Sequence, residues 1–178
     1  MGRRRRVLKP RRRARIAALQ ALFEVDTVHH DPDTVLRWRL AESPLPKATE
    51  GFCRRLLFGV LRQHVGLDAI IQRIAPEWPV GQLSPVDRNI LRLATYEIML
   101  DQSAPPKVAI NEAVELAKMF GGESSSRFVN GVLGTLFTQR SQLAASLSRD
   151  AHPDATPDAS RIRPRDEGVS QPGGQPQP

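Results

Sequence analysis

Only one cysteine, Cys53, occurs in the 178 residues. That excludes a disulfide framework and any multi-cysteine metal site, and its place in an apolar run marks it as buried filler. Aromatic residues make up only 5% of the chain, so the core must come from Leu, Ile, Val and Ala, a composition suited to packed helices. No stretch approaches the roughly 18 apolar residues of a membrane span. The basic amino terminus is followed only by Val7-Leu8, far short of the ~7–15 apolar residues of a secretion signal, and a cytoplasmic location is expected.

Signatures of catalysis are equally scarce. Gly121-Gly122 has no Gly-Lys-Ser/Thr behind it, and neither His-Glu-x-x-His nor Gly-x-Ser-x-Gly occurs. His29 and His30 are adjacent, so on a helix they point about 100° apart and cannot easily share an ion. Glu112 and Glu115, three apart beside Asn111 and Lys118, read as a solvated face. Ser124-Ser125-Ser126 reads as a loop and helix cap. The expectation is a binding protein with no catalytic residue, metal or cofactor.

What is present is positive charge, concentrated at one end. The formal net charge is +7. Arg3, Arg4, Arg5, Arg6, Lys9, Arg11, Arg12, Arg13 and Arg15 supply nine of the 26 Lys and Arg within the first 15 residues, leaving 17 against 19 Asp and Glu elsewhere. Such a terminus suits a nucleic acid above an acidic protein or an anionic membrane surface.

Helical periodicity dominates the rest of the chain. A first helix is expected over 11–28, with Arg11 and Arg15 four apart on one exposed stripe. A short helix over 33–41 restarts at Pro32. Next come a helix from Thr49 to about His64 and a further short one spanning Leu67, Ile70, Ile71 and Ile74, closed by Pro76 and Pro79. Residues 76–82 read as a hinge.

Ser84-Pro85-Val86-Asp87 is the clearest helix start: a hydroxyl cap, a proline at the first position and an acid in the first turn. The following helix is apolar nearly all round, as a buried central helix is. Helices over about 108–120 and from the Ser124–Ser126 cap onward complete the pattern. Gly131 and Gly134 lie inside the last one, each costing about 1 kcal/mol against Ala, which points to a close helix crossing. From about residue 148 the composition turns to Pro, Gly, Ser and Gln, expected to be disordered. The expected organisation is therefore a flexible basic arm over 1–10, an all-α domain over 11–147 with subdomains of about 11–76 and 82–147, and a tail over 148–178.

Three blocks carry a family resemblance. They are Arg11-Arg12-Arg13-Ala14-Arg15 running into Ala18-Leu19-Gln20-Ala21-Leu22-Phe23; Val86-Asp87-Arg88-Asn89-Ile90-Leu91-Arg92-Leu93-Ala94-Thr95-Tyr96-Glu97; and Pro106-Lys107-Val108-Ala109-Ile110-Asn111-Glu112-Ala113-Val114-Glu115-Leu116-Ala117-Lys118 with Phe120-Gly121-Gly122-Glu123 and Phe128-Val129-Asn130-Gly131-Val132-Leu133. Over roughly residues 9–140 the chain resembles the transcription antitermination NusB family.

The resemblance implies a bundle of six to seven helices in two packed subdomains. It also implies binding to boxA-type single-stranded RNA of nascent ribosomal transcripts, together with NusE, a small-subunit ribosomal protein. RNA polymerase, in an elongation complex with NusA and NusG, would then elongate past terminators. The RNA contacts it implies are Arg11, Arg12, Arg13, Arg15 and Phe23, with Arg127 and Phe128 in a second patch; Gln20, expected to be exposed near Phe23, is added to them on chemical grounds. Asp87, Arg88, Arg92 and Ser124 would line the RNA or NusE surface. The pattern allows a monomer or a homodimer that covers the arginine surface.

Arginines, planar groups and edge-reading amides on a rigid helix are also what single-stranded RNA recognition requires on chemical grounds. Two alternatives differ in kind. One is a stand-alone module like the NusB-like domain of rRNA cytosine methyltransferases; the other is a helical protein-interaction adaptor whose basic terminus is incidental.

Overall fold

A computed structural model describes the backbone of residues 8–150 and side chains through residue 144; most of the expected arm (1–7) and tail (151–178) lies outside the described residues. Among the described residues six α-helices form an all-α bundle: α1 (Pro10–Val28), α2 (Pro32–Glu42), α3 (Lys47–Ile74), α4 (Pro85–Tyr96), α5 (Pro106–Phe120) and α6 (Ser125–Asp150). A 3₁₀ turn (Val80–Gln82) precedes α4 and a π turn (Glu97–Asp101) continues it.

Local chemistry sets the helix ends. Pro10, Pro32, Pro85 and Pro106 open four helices, where the missing N–H costs nothing. Asp31 accepts from the Thr34 N–H at 2.9 Å, and Ser84 Oγ accepts from the Asp87 N–H at 3.1 Å, capping α2 and α4. His29, at φ 62°, ends α1 in the left-handed conformation, its N–H donating to the Val25 carbonyl. Gly121 ends α5 in an extended conformation. An added Cβ there would stand 2.7 Å from the Ala117 carbonyl oxygen. Space, rather than backbone conformation, calls for glycine at that position.

One contiguous core runs from Ala14 to Leu143. At its centre α1 lies antiparallel to α4, because Arg15 pairs with Glu97 just beyond α4, while Asp26 pairs with Arg88 and Arg92 inside it. These polar clamps are eleven residues apart on α1, about 16 Å along its axis. Ala18, Leu19 and Leu22 of α1 and Ile90, Leu93 and Ala94 of α4 are buried in the same core. At about 25 cal/mol per Å² of apolar surface, such burial dominates the favourable side of folding.

Three expectations are corrected. The third and fourth helices are one 28-residue helix, α3. Gly66 does not stop it, because Phe52, Leu56, Val60, Leu67 and Ile71 stay on one buried stripe through it. Gly131 and Gly134 mark no helix crossing, since a Cβ at either would meet nothing within 4 Å. The close approach occurs at Gly59 of α3 instead, where a Cβ would overlap the Tyr96 ring. The last helix also continues to Asp150, past the expected boundary at 147.

Candidate nucleic-acid interface

The start of α1 has no acidic residue in its first turn, so the arginines there add to the positive end of the helix dipole. They do not form one exposed stripe. Arg15 is 3% exposed and makes a two-pronged bond to Glu97, 2% exposed, at 2.8 and 2.6 Å. The physical reason is its helical register: Arg15 shares the buried face with Ala18, Leu19 and Leu22.

Arg12 is also committed internally. Its Nε and Nη2 donate to the two Glu112 carboxylate oxygens at 2.9 and 2.7 Å, and Nη1 lies 3.7 Å from Glu115. Hydrogen bonding from Arg12 holds the Glu112 carboxyl below its ordinary pKa against the opposing pull of burial. The same bond lifts the Arg12 guanidinium above its own ordinary value. Glu112 is therefore a buried-side partner rather than part of a solvated face, while Glu115 pairs outward with Lys118 at 2.9 Å.

Arg11 and Arg13 differ from both. Arg11 is exposed and donates to the Ser103 carbonyl at 3.0 Å. Arg13 donates to the Pro44 carbonyl at 2.6 Å and to Ser43 Oγ at 3.3 Å. Their partners are neutral. The buried Phe52 ring lies beneath Arg11 at 4.8 Å, Arg15 at 5.2 Å and Arg55 at 5.6 Å, a shared cation–π seat.

Further along α1, Gln20 and Phe23 line a mostly apolar slot of ≈220 Å³ with Leu19, Arg39, Val86 and Phe120. Phe23 is 40% exposed, so it is available for stacking. Gln20 and Arg39 also border a second groove, which holds Arg13.

The second patch assembles as a patch. Asp87, Ser124, Arg127 and Phe128 line one open groove of ≈720 Å³ between the α3–α4 connection and α6. Phe128 is half-buried and meets Trp78 edge-to-face at a ring separation of 5.6 Å. Trp78 is 55% exposed and escaped the sequence reading; a tryptophan between Pro76 and Pro79 in a connector was the available signal. Trp38 on α2, 58% exposed, was missed as well.

Arg88 and Arg92 do not join that surface. Arg88 bonds Asp26 at 2.6 and 3.1 Å, and Arg92 bridges Asp26 at 3.1 Å to Asp68 at 2.7 Å. Asn89 adds a third donor to Asp26 at 2.9 Å. Burial alone would raise the Asp26 carboxyl, but these three donors outweigh it and hold it below the ordinary range. The two arginines sit one turn apart on α4 and tie α1, α3 and α4 together.

Burial pushes the Cys53 thiol up to about 12, an inert state. Among the described residues no group of three or more His, Cys, Asp or Glu could hold a metal ion, and no helix is long and apolar enough to cross a membrane.

The family model for NusB matches residues 12–137. The chain belongs to the NusB family. The transcription antitermination protein NusB of Chloroflexus aggregans is 51% identical over 136 residues, covering 75% of this chain and 91% of that protein. Among solved structures, NusB of T. maritima superposes with a TM-score of 0.66 at 37% identity, covering 77% of this chain and 92% of the other. A complex of antitermination factors NusB and NusE with dsRNA matches with a TM-score of 0.65 at 25% identity, over 79% and 99%. The family match over residues 12–137 takes in Arg12, Arg13 and Arg15 of α1 and the groove at Phe128.

Proposed function

We propose that this chain is a non-catalytic RNA-binding antitermination factor that acts with NusE. The observation that carries the proposal is the coincidence of a NusB-family match with an electropositive helix start bearing exposed Arg11 and partly exposed Arg13, neither paired with a carboxylate. The solved NusB–NusE complex with RNA supports the same reading. RNA engages the start of α1 and runs toward Gln20 and Phe23, where an amide and a half-exposed ring suit base edges and base stacking. The groove at Asp87, Ser124, Arg127 and Phe128 is the second RNA or NusE surface, and Arg88 and Arg92 hold the Asp87 helix in place beneath it.

The preferred ligand is boxA-type single-stranded RNA of a nascent ribosomal transcript in the cytoplasm, with RNA polymerase, NusA and NusG as the wider assembly. Residues 76–82 divide the domain into its two subdomains. A homodimer would cover the same arginine surface and compete with RNA.

Fluorescence anisotropy with a boxA-like RNA and a scrambled control, with and without NusE, tests the proposal. Preference for boxA that sharpens with NusE is the expected result. Equal binding to both RNAs that salt erases would reduce the basic terminus to a non-specific polycation.

A further inference from the structure

We infer that the four arginines at the start of α1 have two separate jobs, an inference that rests on the RNA-binding reading above. Arg11 and Arg13 neutralise RNA phosphates. Arg12 and Arg15 are positioning residues that clamp α1 to the π turn and to α5, and so fix where the other two point.

The geometry separates the pairs. A guanidinium reaches a phosphate through the same forked N–H pair that grips a carboxylate. In Arg15 that fork is filled by Glu97, and both side chains are at most 3% exposed. Turning Arg15 toward solvent would leave Glu97 buried and unpaired. In Arg12 the fork is filled by Glu112, with Glu115 beside the remaining nitrogen. Glu112 also lies 3.8 Å from Arg15, so it faces both clamping cations at once.

Arg11 and Arg13 face no carboxylate among the described residues; each touches carbonyl or hydroxyl oxygens of neighbouring loops. Those contacts use one or two of a guanidinium's five N–H donors and leave the charge uncompensated. They hold the two cations on opposite flanks of α1, Arg11 toward the α4–α5 connection and Arg13 toward the α2–α3 connection. The clamp acts on Arg11 through Phe52, whose ring carries both Arg11 and Arg15. Glu112 occupies the place on Arg12 that a phosphate would take. Removing its charge uncovers a further RNA contact.

The test measures the salt dependence of boxA-like RNA binding and the thermal midpoint of the full chain, for wild type and single variants. For single strands the slope of log affinity against log salt changes by about 0.7 per phosphate neutralised. Arg11→Gln and Arg13→Gln should each flatten the slope by about 0.7 and leave the melting temperature near wild type. Arg12→Gln should lower the melting temperature and keep the slope. Glu112→Gln should melt lower, bind tighter and steepen the slope by about 0.7.

A flattened slope in Arg12→Gln, or an unchanged slope in Glu112→Gln, overturns the assignment. Arg15→Gln leaves Glu97 buried without its partner, and the Arg12 and Glu112 variants decide without it. If wild type shows no salt-dependent RNA binding, the RNA reading fails and takes the contact half of the inference with it. The melts then judge the clamp alone, and Arg11→Gln melting as low as Arg12→Gln would overturn that half.

Discussion

Two arginine clusters look alike in the sequence, Arg11–Arg15 at the start of α1 and Arg88 with Arg92 on α4, yet the fold uses them differently. Both α4 arginines are turned inward onto Asp26 and Asp68. In the α1 cluster only Arg12 and Arg15 are paired with carboxylates, while Arg11 and Arg13 remain electrostatically available. A positive charge can serve recognition only where no carboxylate has already answered it. Counting cations along the chain therefore overstates the RNA-binding surface, and the carboxylates of α5 and the π turn set the correction.

The largest effect that would sharpen this comparison is at the buried pair. Glu97→Ala leaves the Arg15 charge buried without its partner and should cost about 3–5 kcal/mol in urea unfolding; a loss below about 1 kcal/mol would mean that the pair is not a clamp. Asp26→Asn weakens four bonds at once, two from Arg88 and one each from Asn89 and Arg92. It should cost about 2 kcal/mol by the same assay, and RNA affinity measured under folding conditions should stay near wild type.

Acid should act on both clusters. The Asp26 and Glu112 carboxyls are held below their ordinary values in the folded chain. Their stabilisation is then complete above the unfolded value near 4 and is lost as pH falls through the folded values. Chemical denaturation between pH 6 and about 3 should show stability falling over that acid limb, with a shallower fall in Asp26→Asn. An identical limb in the variant would contradict the assignment. The smallest effect belongs to the surface pair Arg54–Asp33, whose side chains are 50% and 69% exposed at 3.2 Å. Arg54→Ala should change stability by less than about 0.5 kcal/mol, a control against which the inward pairs stand out.

Much of the scaffold is legible from residue chemistry alone. Ser84-Pro85 and Asp31-Pro32 announce helix starts because proline and a capping oxygen act within one turn. Of the residues that the resemblance singled out beyond α1, Asp87, Ser124, Arg127 and Phe128 line one groove, while Arg88 and Arg92 are drawn inward onto Asp26 and Asp68. The orientation of Arg15 was also within reach: it precedes Ala18, Leu19 and Leu22 by three, four and seven positions, the spacing of a buried stripe. Likewise Glu112 lies between Ala109 and Leu116 at helical spacing.

The partners of these charges were out of reach. Arg15 and Glu97 are 82 residues apart and Arg12 and Glu112 are 100 apart, contacts that only the packed bundle creates. The fused α3 escaped for a related reason: the cost of Gly66, about 1 kcal/mol against Ala, is outweighed by an apolar stripe that continues past it.

The most direct test of the central claim is transcription in a purified system, with RNA polymerase, NusA, NusG and NusE and a terminator placed downstream of a boxA element. Adding the chain should raise read-through on the boxA template and leave a scrambled template unchanged, with the gain reduced in an Arg11→Gln/Arg13→Gln double variant. Unchanged read-through on boxA, or an equal rise on both templates, would contradict the account.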